Sequence, residues 1–166
     1  RERDMLSSVK TAATKIIDTS GYNVHQLKEI IRGYFSGPLS QEKMVVQLVS
    51  FSYRYGIPLD ADMIMDVRFL PNPYFVEGLK DLDGRDSRAK EFVLNKEETK
   101  EFLDRFGNLL NFLIPSYLRE GKTYLTIAIG CTGGRHRSVS IVDFLADEIS
   151  FERCILKKRH RDIERV

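Results

Sequence analysis

The segment Gly130-Cys131-Thr132-Gly133-Gly134-Arg135-His136-Arg137-Ser138 gathers more hydrogen-bond donors than a turn needs. Glycines at 130, 133 and 134 let the backbone turn tightly and approach a ligand closely. Thr132 and Ser138 add hydroxyls, and Arg135, His136 and Arg137 add charge and forked N–H groups. An apolar strand pattern precedes the segment and a helical pattern follows it. The free N–H groups and positive dipole end of that helix therefore face the same loop. This combination suits a phosphate or another compact anion. A plain strand-to-helix turn with solvated arginines would need one glycine and no Arg-His-Arg.

Two chemical readings follow from this loop. One is a sensor for a phosphorylated ligand. The other is a cysteine-dependent phosphatase, because Cys131 and Arg137-Ser138 match a C-x5-R-S phosphate loop with a thiolate nucleophile. That match is incomplete. Gly130 stands where a His usually precedes the cysteine, and no Asp is obviously placed as a general acid. No catalytic residue is assigned, and no Cys/His cluster has metal-ligand spacing. Gly121-Lys122-Thr123 is rejected as a nucleotide P-loop. The first glycine position is Ser116, and the triplet leads into a strand rather than out of one.

Asp66 and Arg68 lie two apart on an expected strand, so they share a face. They are read either as ligand-facing groups or as an internal ion pair. Asn72, between Pro71 and Pro73, either presents its amide to a ligand or caps its own turn. His25 is read as solvated on a surface helix.

Several elements must position these residues. A short strand is expected at Ile16-Ile17, and a helix over about 24–35 capped by Asn23 and broken at Gly37-Pro38. Strands are expected over 44–51 and 63–69, with a loop over 53–62 between them. The charged stretch 77–90 reads as irregular. Phe102, Phe106, Leu110, Leu113 and Tyr117 recur at helical spacing within 96–119, where Pro115 would kink or end the helix. A β-prone strand at 124–129, a helix at 138–149 and a short strand at 154–156 complete the pattern. Alternating strands and helices predict an α/β domain with a mixed or parallel sheet flanked by helices.

The bulk numbers fit this reading. The 166 residues suffice for a domain with a core, and 42% hydrophobic with 30% charged residues is an ordinary globular balance. No apolar run is long enough for a bilayer, and no signal peptide is visible. Two cysteines form no disulfide framework, which fits a reducing cytoplasm. A formal charge of +2 excludes a uniformly basic polyanion binder. The tail beyond Phe151 is nevertheless basic, with Lys157, Lys158, Arg159, Arg161 and Arg165 as candidate RNA contacts. A solvated basic strand or helix is the alternative.

Two long motifs carry a family resemblance. Asp66-Val67-Arg68-Phe69-Leu70-Pro71-Asn72-Pro73-Tyr74 and Tyr124 through Ser138, with the ending Arg159-His160-Arg161-Asp162-Ile163-Glu164, closely resemble the bacterial RapZ/YvcJ family. The resemblance covers essentially the whole chain. It implies that residues 1–36 are the tail of an N-terminal P-loop nucleotide-binding domain and that residues 37–166 are a C-terminal domain similar to a phosphofructokinase subdomain. ATP or GTP binding and weak hydrolysis would belong to the N-terminal domain, since the Walker motifs are absent here. The C-terminal domain of such proteins binds glucosamine-6-phosphate or UDP-N-acetylglucosamine, and in some it binds small RNA and presents it to a ribonuclease. The matching ligand positions are Asp66, Arg68, Asn72, Thr132, Gly133, Gly134, His136, Arg137 and Ser138. Some members carry His where this chain has Tyr74, so the sugar is not carried over. A cytoplasmic homo-oligomer is the family expectation.

Overall fold

The computed structural model describes residues 6–35 and 43–165. The chain divides into two compact units, Arg1–Gln41 and Glu42–Val166. The first contains α1 (Ser7–Ala12) and α2 (Val24–Phe35). Asn23 and Gln26 cap α2 reciprocally: the Asn23 side-chain oxygen accepts from the Gln26 backbone amide at 2.9 Å, and the Gln26 side-chain oxygen accepts from the Asn23 backbone amide at 3.0 Å. The expected strand at Ile16-Ile17 is absent, and these residues are irregular. Two apolar residues make a strand only with a neighbouring strand to bond, and no described strand pairs with them. The expected helix break at Gly37-Pro38 lies outside the described residues.

The second unit holds β1 (Met44–Ser52), β2 (Met63–Asp66), α3 (Ser87–Leu94), α4 (Glu97–Glu120), β3 (Tyr124–Cys131), α5 (Arg137–Glu148) and β4 (Cys154–His160). The strands form one sheet in the order β2-β3-β1-β4, and every pairing is parallel. The α/β reading therefore holds, with the parallel alternative realised. β1 and β3 are central, which explains their near-continuous apolar runs. Met44, Val46 and Leu48 of β1 and Leu125, Ile127 and Ile129 of β3 form the core with Leu103, Phe106, Leu110 and Ile114 of α4 and Ile141, Val142 and Leu145 of α5.

Four sequence expectations change. β2 stops at Asp66 rather than Phe69, because the Asp66 carboxylate accepts from the Arg68 amide at 2.9 Å and turns the chain. The stretch 77–90, expected to be irregular, contains the start of α3, where the Asp86 side chain accepts from the Arg88 amide. Pro115 does not end α4, which runs on to a left-handed Gly121 cap with φ 86°. β4 extends to His160, so part of the basic tail is an edge strand.

In an all-parallel sheet the C-terminal ends of the strands gather on one edge, where open α/β sheets bind ligands. The segments leaving β1, β2, β3 and β4 therefore meet there.

Candidate functional site

Those four segments enclose a cleft of about 750 Å3. Its lining includes Arg54, Arg68, Asn72, Thr132, Gly133 and Arg137, with Arg135, His136 and Arg165, and it contains no Asp or Glu. Arg137 is the first residue of α5 and is 5% exposed. Its Nη1 donates to the carbonyl oxygens of Arg68 and Leu70, the latter at 3.1 Å, and its Nη2 donates to Thr132 Oγ1 at 3.3 Å. These bonds tie the post-β2 segment to the loop. They leave Arg137 Nε buried without a partner. Burial pushes the Arg137 guanidinium below its ordinary range, with the Arg68 charge adding to that shift.

His136 precedes α5 and is also buried, with Nε2 lacking a partner. Its burial lowers its pKa, while the carbonyls of Leu82 and Lys80 push the other way. The net direction favours the neutral ring. A native interior pairs nearly all of its buried polar atoms. Here two nitrogens on adjacent residues at a helix N-terminus depart from that rule, beside a cleft whose lining has no Asp or Glu.

The rest of the loop is built by close packing. Gly134 has φ 64°, and a Cβ there would lie 2.8 Å from both the Ser52 amide nitrogen and the Ser52 Cβ. Only glycine fits that conformation and that approach. A Cβ on Gly133 would meet nothing within 4 Å, so the protein itself leaves that space open. Ser52 Oγ donates to the Thr132 carbonyl at 2.7 Å. Arg135 turns away from the loop: its Nε and Nη2 donate to the carbonyls of Leu82 and Asp81, and its own carbonyl accepts from the Gly84 amide at 2.8 Å. Ser138 is fully buried, with its Oγ 3.2 Å from Cys131 Sγ. Cys131 is itself 2% exposed.

Arg68 lines the cleft, and its ion-pair partner at 2.7 Å, Asp66, lies outside the lining; both are about half exposed. Hydrogen bonding from Arg68 holds the Asp66 carboxyl below its usual range. Asn72 Oδ1 accepts from the Tyr74 backbone amide at 3.2 Å, so this side chain caps its turn while lining the cleft.

The tail cations separate. Lys157 and Arg159 are exposed on β4. Lys158 is held by Asp143 at 2.8 Å and Asp147 at 3.3 Å. Arg161 donates to Asp162 and to the carbonyls of Ser52 and Gly56. Arg165 reaches the cleft.

Sequence reasoning missed Asp162, which is fully buried and accepts from the Ser52 amide at 2.8 Å. It also missed Arg54. Each follows a strand end, and the parallel order of the sheet is what brings both to the loop. Among the described residues no group of His, Cys, Asp or Glu could hold a metal ion. No helix among them is long and apolar enough to cross a membrane.

Residues 44–164 match the RapZ C-terminal domain. The chain belongs to that family. Similar proteins include nucleotide-binding proteins of Geotalea daltonii, 51% identical, and of Trichlorobacter lovleyi and Geobacter metallireducens, each 52% identical, all over 164 residues. Each alignment covers 99% of this chain and 58% of the relative. The chain thus spans under two thirds of those relatives' length. All of the cleft lining except Arg165 lies within the part that matches the family.

Proposed function

We propose that this chain is a regulatory ligand-binding domain that senses an amino-sugar phosphate or a nucleotide sugar through the loop 131–138. The phosphate sits against Thr132, Gly133 and the N-terminus of α5, neutralising Arg137. Asn72 and Arg68, with Asp66 as the ion-pair partner of Arg68, contact the sugar. The carrying observation is the pair of buried, unpartnered nitrogens on His136 and Arg137 beside a cleft without carboxylates. Because Arg137 also holds the carbonyls of Arg68 and Leu70, occupancy of the loop bears directly on the post-β2 segment. That is a route by which ligand would favour one arrangement of the domain. Nucleotide binding, named for the relatives, is assigned to a P-loop domain rather than to these residues.

The test is calorimetric titration with glucosamine-6-phosphate and UDP-N-acetylglucosamine. Arg137→Ala should abolish binding. Gly133→Ala, which disturbs no protein contact, should weaken binding without changing the fold. Wild-type affinity in both variants would reject the loop.

A second reading rests on Lys157 and Arg159, which project from an edge strand without ion-pair partners among the described residues. They suit contacts to RNA phosphates. Removing both should reduce RNA affinity and its salt slope by about two phosphate contacts. An unchanged slope would reject RNA contact at β4.

A further inference from the structure

Arg137 holds the carbonyls of Arg68 and Leu70, and the residue between them, Phe69, is 63% exposed. Phe69 does not line the anion cleft. It lines a second, separate groove of about 470 Å3, with Met65 of β2 and Phe102, Phe106 and Leu109 of α4. Phe69 meets Phe102 edge-on with ring centroids 5.7 Å apart, and Phe102 stacks on Phe106 at 5.4 Å. A continuous aromatic surface of this kind favours an apolar occupant.

The charge of this groove is opposite to that of the cleft. Its rim carries Glu98 and Glu101 against Arg105, and Arg105 is already held by Glu101 at 2.7 Å. Glu98 has no ion-pair partner among the described residues. A phosphorylated ligand, a nucleic acid or an anionic lipid surface would meet like charge here, whereas a cationic side chain would meet its complement. The groove also borders an open sheet edge. β2 is paired with β3 alone, its other edge has no strand partner among the described residues, and its Met65 lines the groove. Such an edge offers main-chain hydrogen bonds to a further strand, whose side chains would alternate between the two faces.

We propose that this groove docks an extended segment of a partner protein, with alternating apolar residues and a lysine or arginine opposite Glu98, and that occupancy of the anion loop tunes the docking through Phe69. The segment adds to the free edge of β2, and its apolar side chains enter beside Phe69 and Phe102. An anion on the loop bonds Arg137, which grips the main chain on both sides of Phe69, so ligand and partner act on the same short stretch. The coupling rests on the loop being the anion site; the docking surface does not.

The experiment is an NMR titration of the 166-residue chain with the peptide acetyl-Lys-Leu-Thr-Phe-Thr-Leu-amide and with its Glu-for-Lys counterpart, each with and without saturating orthophosphate. The Lys peptide should shift Met65, Phe69 and Phe102 and bind at least threefold more tightly than the Glu peptide. Glu98→Lys should reverse that preference, and Glu152→Lys, an equal charge change in the turn before β4, should keep it. Phe69→Ala should abolish binding, and because the ring is mostly exposed the core stays closed. Orthophosphate should change the affinity of wild type for the Lys peptide at least threefold, and the peptide should change orthophosphate affinity by the same factor. No groove shifts, or an equal affinity for the two peptides, would overturn the docking surface. Groove shifts produced by raising the protein concentration alone would give the face to a second copy and overturn the partner. Loop shifts with orthophosphate but an unchanged peptide affinity would overturn the coupling. Groove shifts with the peptide but no loop shifts with orthophosphate would overturn the anion reading and the coupling while supporting the docking surface.

Discussion

The loop 130–138 and the tail 157–165 are both rich in Arg, Lys and His, yet the fold treats them differently. In the loop, Arg137 and His136 are buried, fixed by main-chain oxygens, and left with unpaired nitrogens. In the tail, Lys158 and Arg161 are already satisfied by carboxylates and carbonyls. Arg165 lines the cleft while pairing with Asp162, and Lys157 and Arg159 face solvent without an ion-pair partner among the described residues. Basic residues in a sequence are therefore not equivalent to basic residues available to a ligand. Availability depends on what the neighbouring strand ends supply.

Changes that remove the supports of the loop should have the largest effects. Asp162→Asn takes a buried charge from Arg161 and weakens the bond to the Ser52 amide. It should cost about 3 kcal/mol in urea unfolding and weaken anion binding, although Asp162 lies in the tail. Its carboxyl is held below 3.8 by hydrogen bonds from Arg161 and the Ser52 amide, which outweigh its burial. A folded pKa below the unfolded one gives stability that is present above the unfolded value and lost as pH falls through the folded value. Wild type should therefore lose stability below about pH 4, and the Asn variant should show a flatter acid limb. An equal acid limb in both would place Asp162 outside this network.

Gly134→Ala should come next. Positive φ and the close approach to Ser52 predict a loss of about 1–3 kcal/mol in thermal unfolding, together with loss of anion binding. Gly133→Ala is its counterpart one residue earlier. It should change stability by no more than about 0.5 kcal/mol and still lower affinity, because the space it fills belongs to the ligand. Equal stability losses at 133 and 134 would erase the distinction between support and site.

Cys131→Ser should have a small effect on anion affinity, since the thiol is buried against Ser138. Activity toward an aryl phosphate that disappears in this variant would instead favour the phosphatase reading. The smallest effect is expected for Lys157→Ala with Arg159→Ala, which should leave anion affinity within twofold. A large fall would mean that the two clusters act as one site.

Much of the fold was legible because periodicity and capping are local. The Asn23 cap, the α4 repeat and the apolar runs of β1 and β3 each declare themselves within a few residues. The loop was legible for the same reason, since its glycines and donors are contiguous. What could not be read depends on partners distant in sequence. Ile16-Ile17 has strand-forming residues but no neighbour to pair with among the described strands, and β4 outruns its apolar core because β1 carries it to His160. Asp162 is 110 positions from the Ser52 amide it holds. Arg54 looks like any loop arginine until parallel pairing sets the ends of β1 and β3 side by side.

A backbone amide NMR titration of this chain with inorganic phosphate tests the anion loop without intermediate steps. Saturable shifts should concentrate at Thr132, Gly133, Arg137 and Ser138, with Lys157 and Arg159 nearly unmoved. Shifts concentrated on β4, with the loop amides unmoved, would contradict it.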